Sequence, residues 1–476
     1  MQIIQSLNAI EIAHFGQIFN VHLNWIGDLI NLLISAVGIV GVGIILFSLI
    51  LKLVVLPFDI FQRITMRKQN QKMEANKEKM EKLQKQYAND KEKYNQKLME
   101  MYKESGMSMF SSCLPMILSM VIFIVAINAF NSYSQYANIG SYNVLVTAYN
   151  EQVESYAPEI EEGNITVVGD KIIVKSTDAS DDKYVYLEIT DDATKTDKVA
   201  FVNEVLDFKV QGLNAKYFVD TEKLYAQAEL NADLKAALTA FENAEETDEA
   251  KRKDLAAHDY LADKAQSVVK TAYEETASKQ VSFLWIKNVW TTDAAYKHPI
   301  LPYSDFIQTM QQGSEKFSVD GNKVAWSDIG QYNTTAYTEK AYDFVTAKLT
   351  AQKEQANGYF ILIALSIGTI LLQQFVSMRS QKAQSQYSSV DGQGATQQKV
   401  MMFTMTAMFA VFSFMYSAAF SIYMVTSNLF SLISTLVTNK LVDIHLSKKE
   451  EREAQAQYDK RFRATAQKVN KKENKK

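Results

Sequence analysis

Lys52 is the residue whose chemistry stands out, because it places a positive charge inside a long apolar run. The run covers residues 31–58, and Lys52 precedes Asp59 by seven residues, which is about 10 Å along a helix. A charge inside hydrocarbon is costly and by default marks a functional position. Alternatively, the long lysine side chain reaches the headgroups from within two turns of the helix end. The residues alone leave both interpretations open.

Other familiar sources of chemistry are missing from the sequence. Its five histidines lack the spacing of zinc ligands, and it has no phosphate-binding Gly-x-x-x-x-Gly-Lys-Ser/Thr loop. No catalytic motif of serine, histidine and aspartate is recognisable. The single cysteine, Cys113, cannot form a disulfide within the chain. The sequence therefore predicts a protein that is not an enzyme and that binds no metal or cofactor.

Five apolar runs are long enough to cross a bilayer, which requires about 20 residues. The mean hydropathy of −0.15 hides these runs because the rest of the chain is strongly polar. Five such runs in one chain argue against the core helices of a soluble protein. The predicted fold class is therefore an all-α polytopic membrane protein with five transmembrane helices. The spans are predicted at residues 31–58, 109–130 and 358–378, with the fourth and fifth sharing residues 400–441.

The net charge alternates in sign between the segments that connect these runs. It is +4 for residues 59–108, −15 for residues 131–357, +2 for residues 379–399 and +6 for residues 439–476. Because Lys and Arg concentrate on the cytoplasmic side of membrane proteins, the two basic connections and the C-terminus are predicted to be cytoplasmic. The N-terminus and residues 131–357 are predicted to lie outside. We therefore expect a multi-pass protein of the plasma membrane.

The cytoplasmic segments have simple patterns. In residues 59–108, methionines recur every seven residues and residues 87–90 interrupt a helix-favouring stretch, which predicts a cytoplasmic helical hairpin. The hairpin either spaces two spans or binds partners through its flexible methionines. Residues 379–399 are predicted to form a cytoplasmic loop, and residues 442–476 a basic cytoplasmic tail.

The outer segments are longer and more varied. Residues 1–30 carry apolar side chains at mostly helical spacing, which predicts a helix on the outer interface, with a disordered tail as the alternative. β-branched and aromatic residues alternate in residues 164–175 and 183–190 and predict strands, whereas residues 221–280 predict helices. Residues 131–357 are therefore predicted to form an inserted extracytoplasmic α+β domain.

Short motifs mark the first two apolar runs. Lys52 stands five residues before Pro57, and the second run opens on Ser-Cys-Leu-Pro, which contains Cys113 and Pro115. In order and spacing these motifs resemble the YidC/Oxa/Alb family of membrane protein insertases. In that family a basic residue and a proline close the first conserved span, and a Gly-Cys-Leu-Pro-like motif opens the next.

The later runs extend the resemblance. The third run ends in Leu-Leu-Gln-Gln at Gln373 and Gln374, and the last contains Tyr-x-x-x-Ser-Asn-Leu, with Tyr423 and Asn428. Both patterns are similar to those of the family. Altogether the resemblance covers about residues 15–135 and 358–445.

A further motif lies in the outer region. Residues 282–287, Ser-Phe-Leu-Trp-Ile-Lys, look like a short external loop of the family. The outer region would then be two insertions, about 140–280 and 300–357, on either side of this loop. The resemblance implies that Trp285 and Trp290 lie at the outer interface, where indole rings are favoured.

The resemblance implies a groove formed by five spans, open to the cytoplasm and to lipid but sealed toward the outside. Its client-binding residues would be Lys52, Gln373, Gln374, Ser119, Tyr423 and Asn428. The residues that shape the motifs would be Pro57, Cys113, Pro115 and Trp285. This chain departs from the family in having lysine for the usual arginine and Ser119 for the usual glutamine.

The resemblance also implies partners. Nascent membrane proteins would be the clients, and the Sec translocon would be a neighbour in the lipid bilayer. The basic tail would bind either the ribosome, through RNA phosphates, or anionic lipid. Two other classes of function stay open, namely a transporter or channel and a surface protein anchored by its spans. A transporter would normally place several ionisable residues in its spans.

The charge pattern predicts the result of a protease-protection experiment. Protease added to intact spheroplasts should cleave residues 131–357 and spare residues 59–108, because only the former would face outside. Epitope tags in each segment report cleavage, and addition of protease after lysis is the control. Cleavage of residues 59–108 with protection of residues 131–357 would invert the predicted topology.

Overall fold

The chain folds into two compact units, each assembled from two stretches of sequence. The mixed unit, which has both strands and helices, consists of Met1–Gly41 and Ala129–Tyr359, and the helical unit of Val42–Asn128 and Phe360–Lys476. The computed structural model describes residues 9–15, 18–104, 110–154, 165–168, 171–174, 185–190, 214–313, 315–319, 322–332, 334–380 and 394–473.

The elements are numbered along the chain. The α-helices are α1 (Trp25–Val37), α2 (Val40–Ala75), α3 (Lys77–Gln86), α4 (Lys91–Glu104), α5 (Phe110–Glu154), α6 (Thr221–Ala228), α7 (Ala232–Phe241), α8 (Glu249–Ala272), α9 (Ser278–Val281), α10 (Tyr303–Gln312), α11 (Glu339–Val345), α12 (Thr350–Glu354), α13 (Ile361–Ser380), α14 (Gly394–Met415) and α15 (Ala418–Glu473). The strands are β1 (Ala9–Ile12), β2 (Asn20–His22), β3 (Ile165–Val168), β4 (Lys171–Val174), β5 (Val185–Thr190), β6 (Asn214–Asp220), β7 (Lys316–Val319) and β8 (Asn322–Val324).

Within the described part of the chain, three helices are long and apolar enough to cross a bilayer. The candidate spans are Val40–Gln62 in α2, Ile361–Arg379 in α13 and Ala418–Val442 in α15, and Met402–Met415 in α14 is apolar but shorter. The predicted second span falls in α5, where the side chains of residues 110–120 lie outside the described part. The mostly helical membrane fold is confirmed, and the number of five spans stays a prediction.

Gly38 decides where the first span begins. Its φ of 73° is left-handed, a conformation that glycine adopts without steric cost, and it ends α1. The predicted span at residues 31–58 is therefore wrong at its start, because the helix that could cross the bilayer begins at Val40.

No such break separates the predicted second span from the inserted domain. Helix α5 continues past residue 130 to Glu154, because residues 116–139 contain neither Gly nor Pro. The boundary predicted at residue 130 therefore falls inside a helix rather than at a junction.

Helices α3 and α4 lie within residues 59–108, where the sequence predicts a helical hairpin. Met80, Tyr94, Leu98 and Met101 form its buried core, and the chain turns at residues 87–90. The Asp90 carboxylate accepts a hydrogen bond from the backbone N–H of Lys93 at 3.0 Å, which lowers the pKa of Asp90. This bond caps the start of α4.

The helix predicted on the outer interface within residues 1–30 is wrong for the described residues before Trp25. The chain instead forms β1 and β2, and helix begins only at Trp25. From Phe19 to Leu23 every second residue is buried and the residues between are exposed, which is the period of a strand. Strands from distant parts of the chain satisfy the backbone groups here, and a local helical pattern does not foresee such partners.

Two antiparallel sheets hold the N-terminal segment in the mixed unit. The first has the order β1-β6-β5-β4-β3, with Ile10 opposite Val219, and the second has the order β2-β7-β8, with Val21 opposite Phe317. Strands β3, β4 and β5 fall where the sequence predicts strands. Strands β6, β7 and β8 were not predicted, and they are the ones that complete both sheets.

One hydrophobic core unites the mixed unit. It gathers residues from the N-terminal segment, α5, α8 and the stretch from Ile300 to Leu349. The two predicted insertions, about 140–280 and 300–357, therefore pack together and are not separate folding units.

Tyr337 links the N-terminal segment to this core. Its ring stacks on Phe19 at 5.1 Å, and its hydroxyl accepts a hydrogen bond from the Phe19 N–H at 2.6 Å. The same hydroxyl donates to Asn143 Oδ1 at 2.9 Å. Burial raises the pKa of Tyr337, so its phenol keeps the proton that this bond requires.

The substitution Phe19→Ala should destabilise the mixed unit. Phe19 is completely buried, and truncation of a buried phenylalanine costs about 3–5 kcal/mol. Urea-dependent limited proteolysis of the whole chain in detergent measures the loss. His22→Ala on the same segment is the control, because His22 is exposed and should change stability by less than about 0.5 kcal/mol. Equal effects of the two substitutions would contradict the role of Phe19.

Candidate functional site

The candidate spans place polar groups inside and apolar groups outside. Large apolar side chains are exposed along them, as at Leu53, Val54, Phe375 and Leu436. Among the described residues of the helical unit, the buried polar side chains are all hydroxyls: Ser48, Ser366, Thr406, Ser413, Ser421, Ser427, Ser431, Ser434, Thr435 and Thr438. An apolar exterior suits lipid, and small hydroxyl residues let helices approach closely.

Lys52 continues the buried face of α2. Ile44 and Ser48 are completely buried, and residues four apart on a helix share a face. Lys52 follows Ser48 by four residues and is half-buried, whereas its neighbours Leu53 and Val54 are exposed. This position favours the prediction that Lys52 faces the bundle over the alternative that it faces lipid.

Gln374 connects α13 to α14. Its Oε1 accepts a hydrogen bond from the Thr406 hydroxyl at 2.7 Å. Eight residues earlier on α13, the hydroxyls of Ser366 and Ser413 lie 3.0 Å apart and join the same two helices. Gln373 is half-buried beside Gln374. The predicted glutamine pair therefore lies partly within the helical unit rather than on its lipid face.

Asn428 connects α15 to α13. Its Nδ2 lies 3.5 Å from the Thr369 hydroxyl oxygen, which is at the limit of a hydrogen bond. Tyr423 is buried on the same helix, with its ring 5.9 Å from that of Phe420. Both residues predicted on the last span thus face inward.

Three of these groups lie at similar distances from the first residues of their candidate spans. Lys52 follows Val40 by 12 residues, Gln373 follows Ile361 by 12, and Asn428 follows Ala418 by 10. At ~1.5 Å per residue these distances are about 18, 18 and 15 Å, near the middle of a hydrocarbon layer of about 30 Å. A direct meeting of Lys52 with the glutamines stays a prediction.

Aromatic rings pack densely near the turn between α14 and α15. Phe123 of α5 lies 5.0 Å from Phe409, 5.6 Å from Phe412 and 5.6 Å from Phe420, measured between ring centroids. Tyr416 adds a further ring 5.3 Å from Phe420. This end of the bundle is therefore filled by apolar side chains.

Sequence reasoning missed a stripe of hydroxyls on α15. Ser427, Ser431, Thr435 and Thr438 are buried at spacings of four, four and three residues, so they share one face of the helix. The same spacing is visible in the sequence. Because hydroxyl residues are common in apolar helices, the sequence alone does not mark this stripe as a site in the way that it marks a charge or an amide.

Of the residues predicted to shape the motifs, some lie in the described part of the structure with their side chains and others only with their backbones. Pro57 lies inside α2, where its missing N–H leaves the Leu53 carbonyl without the usual helical partner. The backbones of Cys113, Pro115 and Ser119 belong to α5, and their side chains lie outside the described part.

The external loop departs from the prediction. Trp290 is buried and packs against Tyr133 with ring centroids 4.6 Å apart, so the prediction that it lies at the interface is wrong. Trp285 is half-buried, and its Nε1 is enclosed without a hydrogen-bond partner. The exposed residues of this loop are Leu284 and Lys287. Within the part of the chain that the structure describes, no group of acidic, histidine or cysteine residues could hold a metal ion.

Comparison with known proteins gives one family. The sequence profile described as 60Kd inner membrane protein matches residues 32–162 and 328–445, just over half of the chain. These stretches contain the predicted spans apart from residue 31. No solved structure matches the chain.

Several curated relatives carry the name membrane protein insertase YidC. That of Caldanaerobacter subterraneus subsp. tengcongensis is 35% identical over 98 residues, which are 21% of this chain and 46% of that protein. That of Clostridium perfringens is 32% identical over 108 residues, 21% of this chain and 44% of that protein. That of Clostridium tetani is 39% identical over 93 residues, 19% of this chain and 40% of that protein. The matches span about half the length of these relatives or less.

The bond between Gln374 and Thr406 predicts a measurable coupling between α13 and α14. Thr406→Val removes the donor at nearly constant volume, and interhelical bonds in membranes contribute about 0.6 kcal/mol, at most about 1.7. A double-mutant cycle with Gln374→Leu, read by unfolding in mixed detergent micelles, should return a coupling in this range. Thr404→Val is the control, because Thr404 is exposed and bonds only to the Val400 carbonyl of its own helix. Zero coupling for the Gln374–Thr406 pair would refute the contact.

Proposed function

Because the chain belongs to the 60Kd inner membrane protein family, we propose that it is a membrane protein insertase that helps nascent membrane proteins enter the bilayer. The observation that carries the proposal is the shared depth of Lys52, Gln373 and Asn428 on helices whose outer faces are apolar. The role is one of binding and guidance, without a catalysed reaction or a cofactor.

The physical need for such a protein comes from the client. A hydrophilic segment that crosses hydrocarbon leaves its backbone groups unsatisfied, at several kcal/mol each. A polar groove that reaches halfway across shortens this crossing. Lys52 would attract acidic residues of the entering segment, and the amides of Gln373, Gln374 and Asn428 would both donate and accept hydrogen bonds. Ser119 and Tyr423 complete the proposed client-binding set.

The driving force is the apolar part of the client. Once released sideways into lipid, it buries apolar surface at about 25 cal/mol per Å². The aromatic rings around Phe123 and Phe420 support a groove closed at the end near the α14–α15 turn. The same packing argues against a transporter or channel, which needs a polar path across the whole bilayer.

We further propose five spans in the plasma membrane, with the N-terminus outside and the C-terminus in the cytoplasm. The first part of α5 and the apolar part of α14 supply the two spans beyond the three candidates. Pairing of β1 with β6 supports the orientation, because the N-terminal segment and the inserted domain must then share one side. The alternating charge independently favours the same arrangement.

Two further partners belong to the proposal. The basic tail at the end of α15 carries charge suited to ribosomal RNA or to anionic lipid. The Sec translocon would be a neighbour that hands over larger clients.

The insertase proposal itself is tested by depletion of the protein. Membrane proteins with short external tails should then fail to insert, and normal insertion would refute the proposal.

Lys52→Ala should slow insertion several-fold, chiefly for clients with acidic translocated segments, because the attracting charge is lost. Lys52→Arg should be tolerated, since the charge is kept. Protease protection of radiolabelled clients measures the rate. Lys440→Ala is the matched control, as Lys440 is exposed near the end of the candidate span in α15. If Lys52→Ala inserts acidic-tailed clients at the normal rate, the charge has no role in the groove.

A further inference from the structure

A tight turn in the mixed unit exposes a leucine in a conformation that leucine normally avoids. Phe283 and Ile286 exchange backbone hydrogen bonds in both directions at 3.0 Å, so Leu284 and Trp285 form the tip. Leu284 has a φ of 54° and is 71% exposed. Glycine or asparagine usually occupies such a position in a two-residue turn. Leucine is unfavourable in this backbone conformation, and its exposed side chain gains no burial in the protein. The side chain is therefore a candidate for a contact outside the protein.

The turn lies beside the start of the first span. The ring of Phe283 fills the space that a side chain at Gly41 would need. Gly41 is the second residue of α2, in which the apolar span begins at Val40. Close packing of the turn on this glycine therefore sets the turn at the level where the chain enters hydrocarbon.

A second set of bonds ties the same loop to the start of α13. The Lys287 N–H donates to the Asn357 carbonyl at 3.1 Å, and the Asn288 N–H donates to Asn357 Oδ1 at 2.7 Å. Asn357 stands four residues before Ile361, where the candidate span in α13 begins. The loop thus contacts Gly41 and Asn357, the residues of the mixed unit that lie close in sequence to the two candidate spans.

The exposed apolar residues of the mixed unit gather in these segments. They lie on α1 and its link to α2, at the tip of the turn, and in the two loops joined through Asn357: Trp25, Leu32, Val37, Ile39, Leu284, Tyr296 and Tyr359. We call this set the apolar belt. Among the described residues of this unit, only Leu230 and Leu255 are large, apolar and exposed elsewhere.

We propose that the apolar belt docks onto the lipid of the outer leaflet, with Leu284 inserted below the headgroups. Trp25, Tyr296 and Tyr359 have rings that favour the interface between headgroups and acyl chains. Lys287 is exposed three residues after the tip and suits the headgroup phosphates. The choice of leaflet rests on the orientation proposed above, whereas the insertion of Leu284 into lipid does not.

Spin-label depth measurements test the docking. Cys113→Ser leaves a chain without cysteine, to which Leu284→Cys or the control Leu230→Cys is added. Leu230 is 91% exposed in the same unit but outside the belt. The labelled full-length chain is placed in vesicles of phosphatidylcholine and phosphatidylglycerol. Collisions of the nitroxide with oxygen and with a water-soluble nickel chelate then report its depth.

The nitroxide at position 284 should collide with oxygen more often than with the nickel chelate, and the one at position 230 should show the reverse. A several-fold difference in the ratio of the two collision rates is expected. Leu32→Cys, which leaves the turn unchanged, should behave like Leu284→Cys. Equal ratios at positions 284 and 230 would overturn the proposal, as would shielding from both reagents, because the tip would then be covered by protein.

A second variant separates lipid insertion from a purely structural role of Leu284. Leu284→Asn fits the left-handed turn but removes the apolar side chain. It should move a nitroxide at Tyr296→Cys toward water, with more nickel collisions, while the protease resistance of the mixed unit is unchanged. No change at position 296 would overturn the docking role of the tip. These readouts do not depend on client insertion, so failure of the insertase proposal would leave them interpretable.

Discussion

Hydrocarbon supplies no hydrogen-bond partners, and this constraint governs the helical unit. Backbone groups in a span must therefore be satisfied mainly within their own helix, and the candidate spans in α2, α13 and α15 meet this need as helices with apolar outer faces. Polar side chains must then find partners inside, as Gln374 does with Thr406 and Asn428 with Thr369. Lys52 is the costliest of these groups. Lys52 is half-buried and follows the buried Ser48 by one helical turn, which is the position that the proposed guiding role requires.

The mixed unit obeys a different constraint, since the burial of apolar side chains in a shared core stabilises it. Its core draws on the N-terminal segment, α5 and the residues after 300, so no single stretch of sequence folds by itself. Phe19 and Tyr337 show the coupling most clearly, through a stacked ring pair and a hydrogen bond across 318 residues. The family profile ends at residue 162, after the end of α5, and resumes at residue 328, and the core draws on residues of both stretches.

Patterns in neighbouring residues predicted the elements whose formation depends mainly on those residues. Long apolar runs predicted the candidate spans, and the break at residues 87–90 predicted where α3 and α4 separate. Alternating apolar and polar residues predicted β3 to β5. Predictions failed where a distant partner or one backbone angle decides the outcome. Residues 9–12 and 20–22 pair with strands more than 190 residues away, and Gly38 divides an apolar run that is continuous by composition. For the site, the sequence identified the charge and the amides, but the hydroxyl stripe on α15 became distinct only once burial was known.

The edge position of β1 has a consequence for how the protein is made. Its partner β6 lies about 200 residues later, so at synthesis rates of ~5–20 residues per second β1 waits roughly 10 to 40 s for a partner. During this interval α2, the hairpin and the first part of α5 have already left the ribosome. An unpaired strand is a template for wrong pairing. The N-terminal segment therefore closes its sheet only after α2, the hairpin and the first part of α5 have been made, and a pause in synthesis before residue 220 would lengthen the exposure of β1.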